Sequence, residues 1–185
     1  MEDSKLLSQI INGDEIAMET FYRRHAGSVH AFAMRSLHNP VDATEVLNEV
    51  MMEVWRKAST FGGKSSVKTW LLKITHHKAV DAVRKNRRHD HDDETHIDQN
   101  APNLQGQSLL DDALSNENAE QVSFCLEKLN DSQRQVVYLA FYEELSYPEI
   151  ALTLTIPEGT VKTRMMHARK KLYECLQRLL NTIKP

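Results

Sequence analysis

The chain has 185 residues, 41% of them hydrophobic and 26% charged, with 6 Gly, 5 Pro and a formal net charge of -3. This composition predicts one or two small globular domains and excludes a collagen-like, a linker-dominated and a fully disordered chain. No apolar run approaches the roughly 18 to 20 residues of a membrane-spanning helix, and the N-terminus lacks the basic and apolar segments of a signal peptide, so we expect a cytoplasmic protein.

Helices are predicted throughout the first 88 residues, because apolar residues recur there at helical rather than strand spacing. Gly13 suits the left-handed position that ends a helix, Asp14 is expected to cap the next one, and Pro40 disfavours the α conformation in the residue before it. The predicted helices cover 5–12, 14–25, 27–37, 41–58 and 67–87.

Acidic and basic residues are unevenly distributed along the chain. Residues 1–88 carry 14 Lys and Arg against 10 Asp and Glu, residues 89–120 carry none against 9, and residues 121–185 carry 9 against 7. The acidic middle segment is also rich in Asn, Gln and Ser, which predicts a flexible linker between two folded modules. The net charge therefore conceals two positive modules, and the stretch 64–88 is the most basic, with eight cations and one acid.

The second module contains the same helix-start pattern twice. Ser146 and Thr155 are each followed three residues later by a glutamate, with a proline between them, as in a capped helix start. After a helix that Asn130 or Asp131 caps, this pattern predicts a short helix over 147–154, a tight turn and a longer helix over 157–180. This is the helix-turn-helix arrangement, in which the second helix enters a DNA major groove N-terminus first.

Polar and cationic residues crowd the first turns of that longer helix. Hydroxyl, lysine and arginine side chains suit phosphates and base edges, and a methionine side chain can contact a thymine methyl group. An ordinary solvated basic face is the alternative, but the capped short helix before it favours DNA binding. The candidate residues are Thr160, Lys162, Thr163, Arg164, Met166, His167, Arg169 and Lys170.

The basic stretch of the first module is a second candidate nucleic-acid surface. Its eight cations adjoin the glycine-containing loop 61–66, which we expect to be mobile and able to approach a nucleotide closely. Trp70 is interpreted as a core residue rather than a stacking platform, because it lies on the apolar stripe of its helix.

Three ordered motifs resemble the extracytoplasmic-function (ECF) sigma factors of bacterial RNA polymerase. They are the helix VDATEVLNEVMMEVWR (41–56), the segment FGGKSSVKTWL (61–71) with AVDAVR (79–84), and the pair LSYPEIA (145–151) and IPEGTVKTR (156–164). The resemblance covers nearly all of the chain apart from the linker. It implies an all-α protein of two small domains, 1–88 and 121–185, joined by the flexible acidic linker 89–120, the second domain being helix-turn-helix.

The resemblance also implies four sets of functional residues. On the helix over 41–58, the candidates for contact with the clamp helices of the largest polymerase subunit are Asp42, Glu45, Asn48, Glu49, Met52, Glu53 and Arg56. The loop that captures a base flipped from the nontemplate strand corresponds to Phe61, Gly62, Gly63, Lys64, Ser65 and Ser66. The adjoining DNA-binding helix supplies Lys68, Lys73, His76, His77, Lys78, Arg84 and Lys85. The readers of the distal promoter element correspond to Lys162, Thr163, Met166, His167 and Arg169.

The function so implied is that of a subunit that directs core RNA polymerase to promoters and assists DNA melting, without catalysing chemistry and without a cofactor. The implied partners are core RNA polymerase, promoter DNA and an inhibitory anti-sigma factor, with the linker threading toward the polymerase active site and RNA exit channel. The sequence departs from the family at Thr155, where a turn glycine is common, and at His76, His77 and His167.

Two other classes of function are alternatives to a sigma factor. A stand-alone transcription regulator needs only residues 121–185, and a metal-dependent enzyme would be built on His89, His91 and His96 among the linker acids. A polar linker without metal is favoured, because no predicted helix fixes those ligands in place. Cys125 and Cys175 are far apart and fall on apolar helical faces, which predicts two buried thiols rather than a disulfide or a zinc site.

Overall fold

The computed structural model describes residues 2–92 and 117–183, and within these two ranges all regular structure is helical. The all-α fold class is therefore confirmed. A short 3-10 helix, Ala58–Thr60, follows the third α-helix. The α-helices are α1 Asp3–Ile11, α2 Glu15–Leu37, α3 Pro40–Lys57, α4 Val67–Asp92, α5 Glu117–Glu127, α6 Asp131–Phe141, α7 Tyr147–Leu154 and α8 Glu158–Ile183.

Local capping signals place most of the helix ends. Gly13 has φ 80° between α1 and α2, and the Asp14 carboxylate accepts a hydrogen bond of 3.0 Å from the Ala17 backbone N–H. The side chain of Asn130 accepts a hydrogen bond from Gln133 N–H at the start of α6. These predictions are confirmed, because each depends on residues next to one another in the sequence.

The prediction of two helices over 14–25 and 27–37 is wrong, since α2 is continuous through Gly27. Gly27 is exposed, and the buried stripe of α2 continues on both sides of it with Phe21, Val29 and Phe32. A glycine inside a helix costs about 1 kcal/mol relative to alanine, which is less than the burial of one such side chain contributes.

Two helices differ from the expectation on either side of the predicted linker. α4 continues to Asp92 rather than ending near residue 87, and α5, which was not predicted, begins at Glu117. Residues 93–116 lie outside the described ranges. α5 carries no strong start signal in its sequence, and its position depends on packing against α8.

Two hydrophobic cores organise the molecule. The first is formed by α1 to α4 and includes Leu6, Phe21, Val50 and Leu71, and the second is formed by the helices after residue 117. Phe32 of α2 and Leu72 of α4 are fully buried in the second core. The two modules are therefore joined through apolar side chains of the first that complete the core of the second.

A disulfide links Cys125 of α5 to Cys175 of α8, with 5.8 Å between the two Cα atoms. The prediction of two buried free thiols is therefore wrong. Although 50 residues separate the two cysteines in the sequence, α5 packs along α8 and brings them together. Sequence spacing alone does not reveal such a pair, because the packing of two helices decides it.

Several large apolar side chains are exposed, among them Ile16, Trp55 and Phe141. Trp70 is partly buried against the first core, in agreement with its interpretation as a core residue. In the described ranges, no helix combines the length and the apolar character needed to cross a membrane.

Candidate protein and nucleic-acid interfaces

The turn between α7 and α8 forms in part as predicted. Glu149 accepts hydrogen bonds from the backbone N–H and the hydroxyl of Ser146, at 3.0 and 2.6 Å, so the first capping pattern is confirmed. Thr155 does not cap α8; it ends α7 in the left-handed conformation, with φ 54°. The turn needs a left-handed residue at this position. Glu158 forms an ion pair with Lys162 at 2.7 Å and does not complete a capping box with Thr155.

The first turns of α8 present a polar face to solvent. Met166 is 59% exposed, while Val161, Met165 and Ala168 on the opposite face are buried in the second core. The pKa of Lys162 is raised, because the Glu158 carboxylate beside it favours the charged amine. The fully exposed candidates on this face are Lys162, Thr163, Met166, His167, Arg169 and Lys170.

Arg164 differs from its neighbours on α8. It is only partly exposed and lines a groove of about 460 Å³ between the two modules. The groove combines cations from both modules, including Arg35 and Arg84 from the first and Arg134 from the second. Arg164 therefore faces the first module rather than the outer surface that the other candidates share.

α3 presents a continuous acidic face opposite its buried stripe. Met52 is 50% exposed on this face, and Asp42 at the start of α3 accepts a hydrogen bond of 2.9 Å from the Asn86 side chain. All seven predicted polymerase-contacting residues have exposed or half-buried side chains: Asp42, Glu45, Asn48, Glu49, Met52, Glu53 and Arg56.

Lys78 of α4 lies at the edge of this acidic face. Its Nζ is 3.3 Å from carboxylate oxygens of both Glu49 and Glu53. Burial alone would lower the pKa of Lys78, but hydrogen bonds to Glu53 and Glu49 outweigh it and raise that pKa. Lys78 thus connects α4 to α3, a neighbourhood that the linear sequence does not reveal.

The loop before α4 is anchored at its aromatic end. The Phe61 ring packs edge-on against Trp70, with 5.5 Å between ring centroids, and both side chains adjoin the first core. Gly62, Gly63 and Lys64 are exposed, and Gly63 has φ 68°, a conformation that glycine adopts without steric cost. Further along α4, His77, Arg84 and Lys85 are exposed and Lys73 is half-buried.

Lys68 and His76 point toward the second module. Lys68 Nζ lies 2.8 Å from an oxygen of the Glu143 carboxylate and donates to the Glu143 backbone carbonyl at 2.9 Å. His76 lies beside Phe32, and its Nδ1 is buried without a hydrogen-bond partner. Burial lowers the pKa of His76, and the nearby His77 and Arg164 lower it further.

Glu143 is the centre of this contact and was missed by sequence reasoning. It is 6% exposed, and its carboxylate also accepts hydrogen bonds from the Ser28 hydroxyl at 2.8 Å and the Tyr138 hydroxyl at 2.5 Å. Burial alone would raise the pKa of Glu143, but the bonds from Lys68, Tyr138 and Ser28 outweigh it and lower that pKa. Nothing in the local sequence marks Glu143, since its partners Ser28 and Lys68 in the first module are distant along the chain.

No group of three or more His, Cys, Asp or Glu side chains that could hold a metal ion occurs in the part of the chain that the structure describes. The side chains of His89 and His91 and the whole of His96 lie outside that part. The alternative of a metal site on these histidines stays untested.

A capped short helix, a left-handed turn and a longer helix with a polar outer face define a helix-turn-helix protein, here joined to a four-helix module with an acidic face on α3. Family models for Sigma-70 region 2 and Sigma-70 region 4 match residues 21–89 and 119–172. The ECF RNA polymerase sigma factor SigK of Mycobacterium tuberculosis is 33% identical over 174 residues, covering 92% of this chain and 91% of SigK. The chain belongs to the ECF sigma factors, and it acts as a sigma factor of RNA polymerase.

Two solved structures share the fold. The sigma factor RpoE of Bartonella quintana, crystallised with the anti-sigma factor NepR, matches with a TM-score of 0.63 and 22% identity over 86% of this chain and 96% of RpoE. CnrH, in complex with the cytosolic domain of CnrY, matches with a TM-score of 0.61 and 23% identity over 98% and 99% of the two chains. A stand-alone regulator built from residues 121–185 leaves the region 2 match unexplained.

Proposed function

We propose that the three surfaces divide the work of promoter recognition in the manner that the family resemblance implies. The exposed face of α3 binds core RNA polymerase, the loop and basic face of α4 bind the melted promoter strand, and the outer face of α8 reads the distal promoter element. In this proposal the chain divides into domain 1–88, linker 89–120 and domain 121–185. It acts in the cytoplasm, catalyses no reaction and uses no cofactor.

The outer face of α8 is the observation that carries the proposal furthest. The short helix α7 and the left-handed turn orient the first turns of α8 so that Val161 and Met165 pack into the second core. The polar residues on the other side of these turns are exposed. Lys162 and Arg169 supply positive charge for phosphates or guanine edges, and Met166 supplies an apolar contact for a thymine methyl group.

The acidic face of α3 supports polymerase docking. Its carboxylates are fixed on a helix whose other side is buried, and Lys78 holds Glu49 and Glu53 in position. A rigid surface with a half-exposed Met52 and surrounding charges has the composition of a protein interface, with an apolar contact inside a polar rim.

The cations of α4 support contact with single-stranded DNA. Lys64, His77, Arg84 and Lys85 are exposed next to a loop whose two glycines leave open space for a nucleotide. Lysine and arginine side chains supply the attraction to phosphate that is independent of sequence, and such binding weakens as salt rises.

An anti-sigma factor completes the proposal as the inhibitory partner. Both fold relatives were solved in complex with a partner, RpoE with the anti-sigma factor NepR and CnrH with the cytosolic domain of CnrY. We propose that a comparable protein binds this chain and withholds it from polymerase.

Reconstituted transcription tests the proposal. Core RNA polymerase with this chain should start RNA synthesis at promoters that core polymerase alone does not use, as sequencing of RNA 5′ ends would detect. Lys162→Ala should weaken promoter binding by the holoenzyme about 5- to 100-fold, since a lysine or arginine contact to DNA contributes about 1–3 kcal/mol.

Lys171→Ala is the matched control, because Lys171 is an exposed lysine about two and a half turns beyond Lys162 and on the opposite side of α8. It should leave promoter binding unchanged. Start sites identical with and without the chain, or equal losses in the two variants, would contradict the proposal.

A further inference from the structure

We infer that the free chain adopts a closed arrangement in which its second module covers part of the melted-strand surface of its first, with the buried Glu143 as the lock. This inference rests on the proposed function, because it concerns residues assigned there to DNA. It adds a state of the free protein in which those residues are already occupied.

The apolar part of the closed interface is continuous with the second core. Phe32 and Leu72 are fully buried among residues of the second module, and the Phe32 ring lies 6.3 Å from the Tyr138 ring at an interplanar angle of 25°. Opening the two modules would expose both side chains to water. Burial of two such side chains explains why the modules adhere without help from a partner.

The polar part makes the arrangement specific. The Glu143 carboxylate binds Lys68 and Ser28 of the first module while Tyr138 of its own module holds it in place. A carboxylate in a buried position is costly unless it is paired and hydrogen-bonded, and here three donors satisfy it. Removal of the first module would leave Glu143 without two of these donors.

A second set of contacts lies at the start of α4. Glu149 of α7, which caps its own helix, also accepts a hydrogen bond of 3.1 Å from the Thr69 hydroxyl. The Ser66 hydroxyl is 2.7 Å from the Thr69 hydroxyl and 3.5 Å from Glu149. On the other side of the interface, the Arg35 guanidinium stacks over the Tyr138 ring at 3.9 Å.

These contacts occupy residues that the proposed function assigns to DNA. Lys68, Ser66 and His76 are held against the second module, and the Glu143 carboxylate takes the position at Lys68 that a phosphate would need. A DNA strand cannot bind Lys68 while Glu143 is paired with it, because the phosphate and the carboxylate are both anions that compete for one ammonium group.

The remaining surfaces stay open in the closed arrangement. The face of α3 and the outer face of α8 are exposed, so polymerase docking and duplex reading are not blocked. The closed arrangement therefore withholds part of the melted-strand surface and, on α8, Arg164. Polymerase can bind the closed chain first, and separation of the two modules then frees Lys68 for the strand.

Ser28→Asp tests the lock from the side of the first module, since it places a carboxylate against Glu143 and leaves the second module unaltered. Ser8→Asp is the matched control, because Ser8 is an exposed serine on α1 that makes only a local hydrogen bond to the Ser4 carbonyl. Glu143→Gln tests the lock from the side of the second module. Its control is Glu144→Gln, because Glu144 is the neighbouring residue and is exposed.

Two measurements on the full chain separate packing from DNA binding. Small-angle scattering should give the wild type a radius of gyration close to about 16 Å, the value expected for a folded chain of this length. The Ser28→Asp variant should have a larger radius of gyration. Fluorescence anisotropy should show the free Ser28→Asp chain binding a labelled nontemplate-strand oligonucleotide about tenfold more tightly than wild type, and binding the duplex distal element equally. The oligonucleotide is taken from a promoter mapped with the reconstituted holoenzyme.

The outcomes are distinct. Expansion together with tighter single-strand binding in Ser28→Asp and Glu143→Gln, but not in the two controls, supports the lock. Equal dimensions of wild type and Ser28→Asp would overturn it, and so would expansion without tighter single-strand binding by a chain whose holoenzyme initiates normally. If the wild-type holoenzyme does not initiate at all, the proposed function fails, while the scattering still decides whether the modules are locked.

Discussion

Thr155 has the backbone conformation that its position in the turn requires, although threonine is poorly suited to it. It ends α7 with φ 54° and ψ 46°, and a β-branched side chain is strained in this left-handed region. The sequence indicated this position, because relatives of this class often have glycine there, but it did not decide between a strained turn and an N-cap. The backbone of α8, which begins only at Glu158, decides for the turn.

Thr155→Gly should therefore stabilise the second module. Glycine removes the strain at this position, but it also gives the unfolded chain more conformational freedom, which opposes part of the gain. The net change should raise the free energy of unfolding by up to about 1 kcal/mol, or the melting temperature by about 2–4 °C. Thr163→Gly, in a helical and exposed position, is the control and should lower the melting temperature. A lower melting temperature for both variants would contradict this account of the turn.

His76 gives the interface between the modules a dependence on pH. Its pKa is lowered by burial and by the neighbouring His77 and Arg164, so the folded state binds its proton less readily than the unfolded state does. Stability should then fall as the pH drops below about 6.5, the usual histidine value, toward the lowered one. His25 contributes in the same direction, because burial lowers its pKa despite the opposing effect of Asp3.

His76→Gln should reduce this dependence. Between pH 7.5 and 5.5 the melting temperature of the wild type should fall, and that of the variant should fall less, as thermal melts followed by circular dichroism would measure. The exposed neighbour provides the control, since His77→Gln should keep most of the wild-type dependence. An unchanged pH dependence in His76→Gln would exclude His76 as its source.

At the scale of elements, the helices that the sequence predicted well are those whose signals are local. Pro40 and Asn39 begin α3, Asn130 begins α6 and Ser146 with Glu149 begins α7. α5 was missed because packing against α8 and the bond between Cys125 and Cys175 hold it, and these depend on residues distant in sequence. The residues of the lock were missed for the same reason.

The disulfide between α5 and α8 should contribute strongly to the stability of the second module. Closing a loop of 50 residues restricts the unfolded chain by about 4 kcal/mol in the chain-entropy model. A reducing agent should therefore lower the melting temperature of the second module markedly. The double variant Cys125→Ala, Cys175→Ala should melt low with or without reductant, and an equal response of both proteins to reductant would contradict the assignment.

At the scale of the whole molecule, we expect the two modules to unfold together, because Phe32 and Leu72 of the first complete the core of the second. The sequence predicted two domains and a linker but not this shared core, since helical periodicity indicates which residues are buried and not which module covers them. Leu71 and Leu72 are adjacent and both buried, yet Leu71 packs in the first core and Leu72 in the second. One helix thus serves two cores on neighbouring faces.

This shared core predicts a difference between two otherwise equivalent substitutions. Leu71→Ala and Leu72→Ala should each cost about 2–5 kcal/mol, the usual range for a buried leucine. In calorimetry, Leu71→Ala should keep a single transition at lower temperature, whereas Leu72→Ala should divide it into two. Identical profiles for the two variants would show that the modules do not unfold together.

The position of Phe32 and Leu72 also has a consequence for synthesis on the ribosome. When residues 2–92 have emerged, the first core is complete, but the side chains that Phe32 and Leu72 need as neighbours, such as Val161 and Met165, are still to be translated. The nascent chain therefore displays an apolar patch on a folded module for as long as it takes to translate the remaining half. That interval is when the protein is most exposed to chaperones and to aggregation, and it ends only when α8 leaves the exit tunnel.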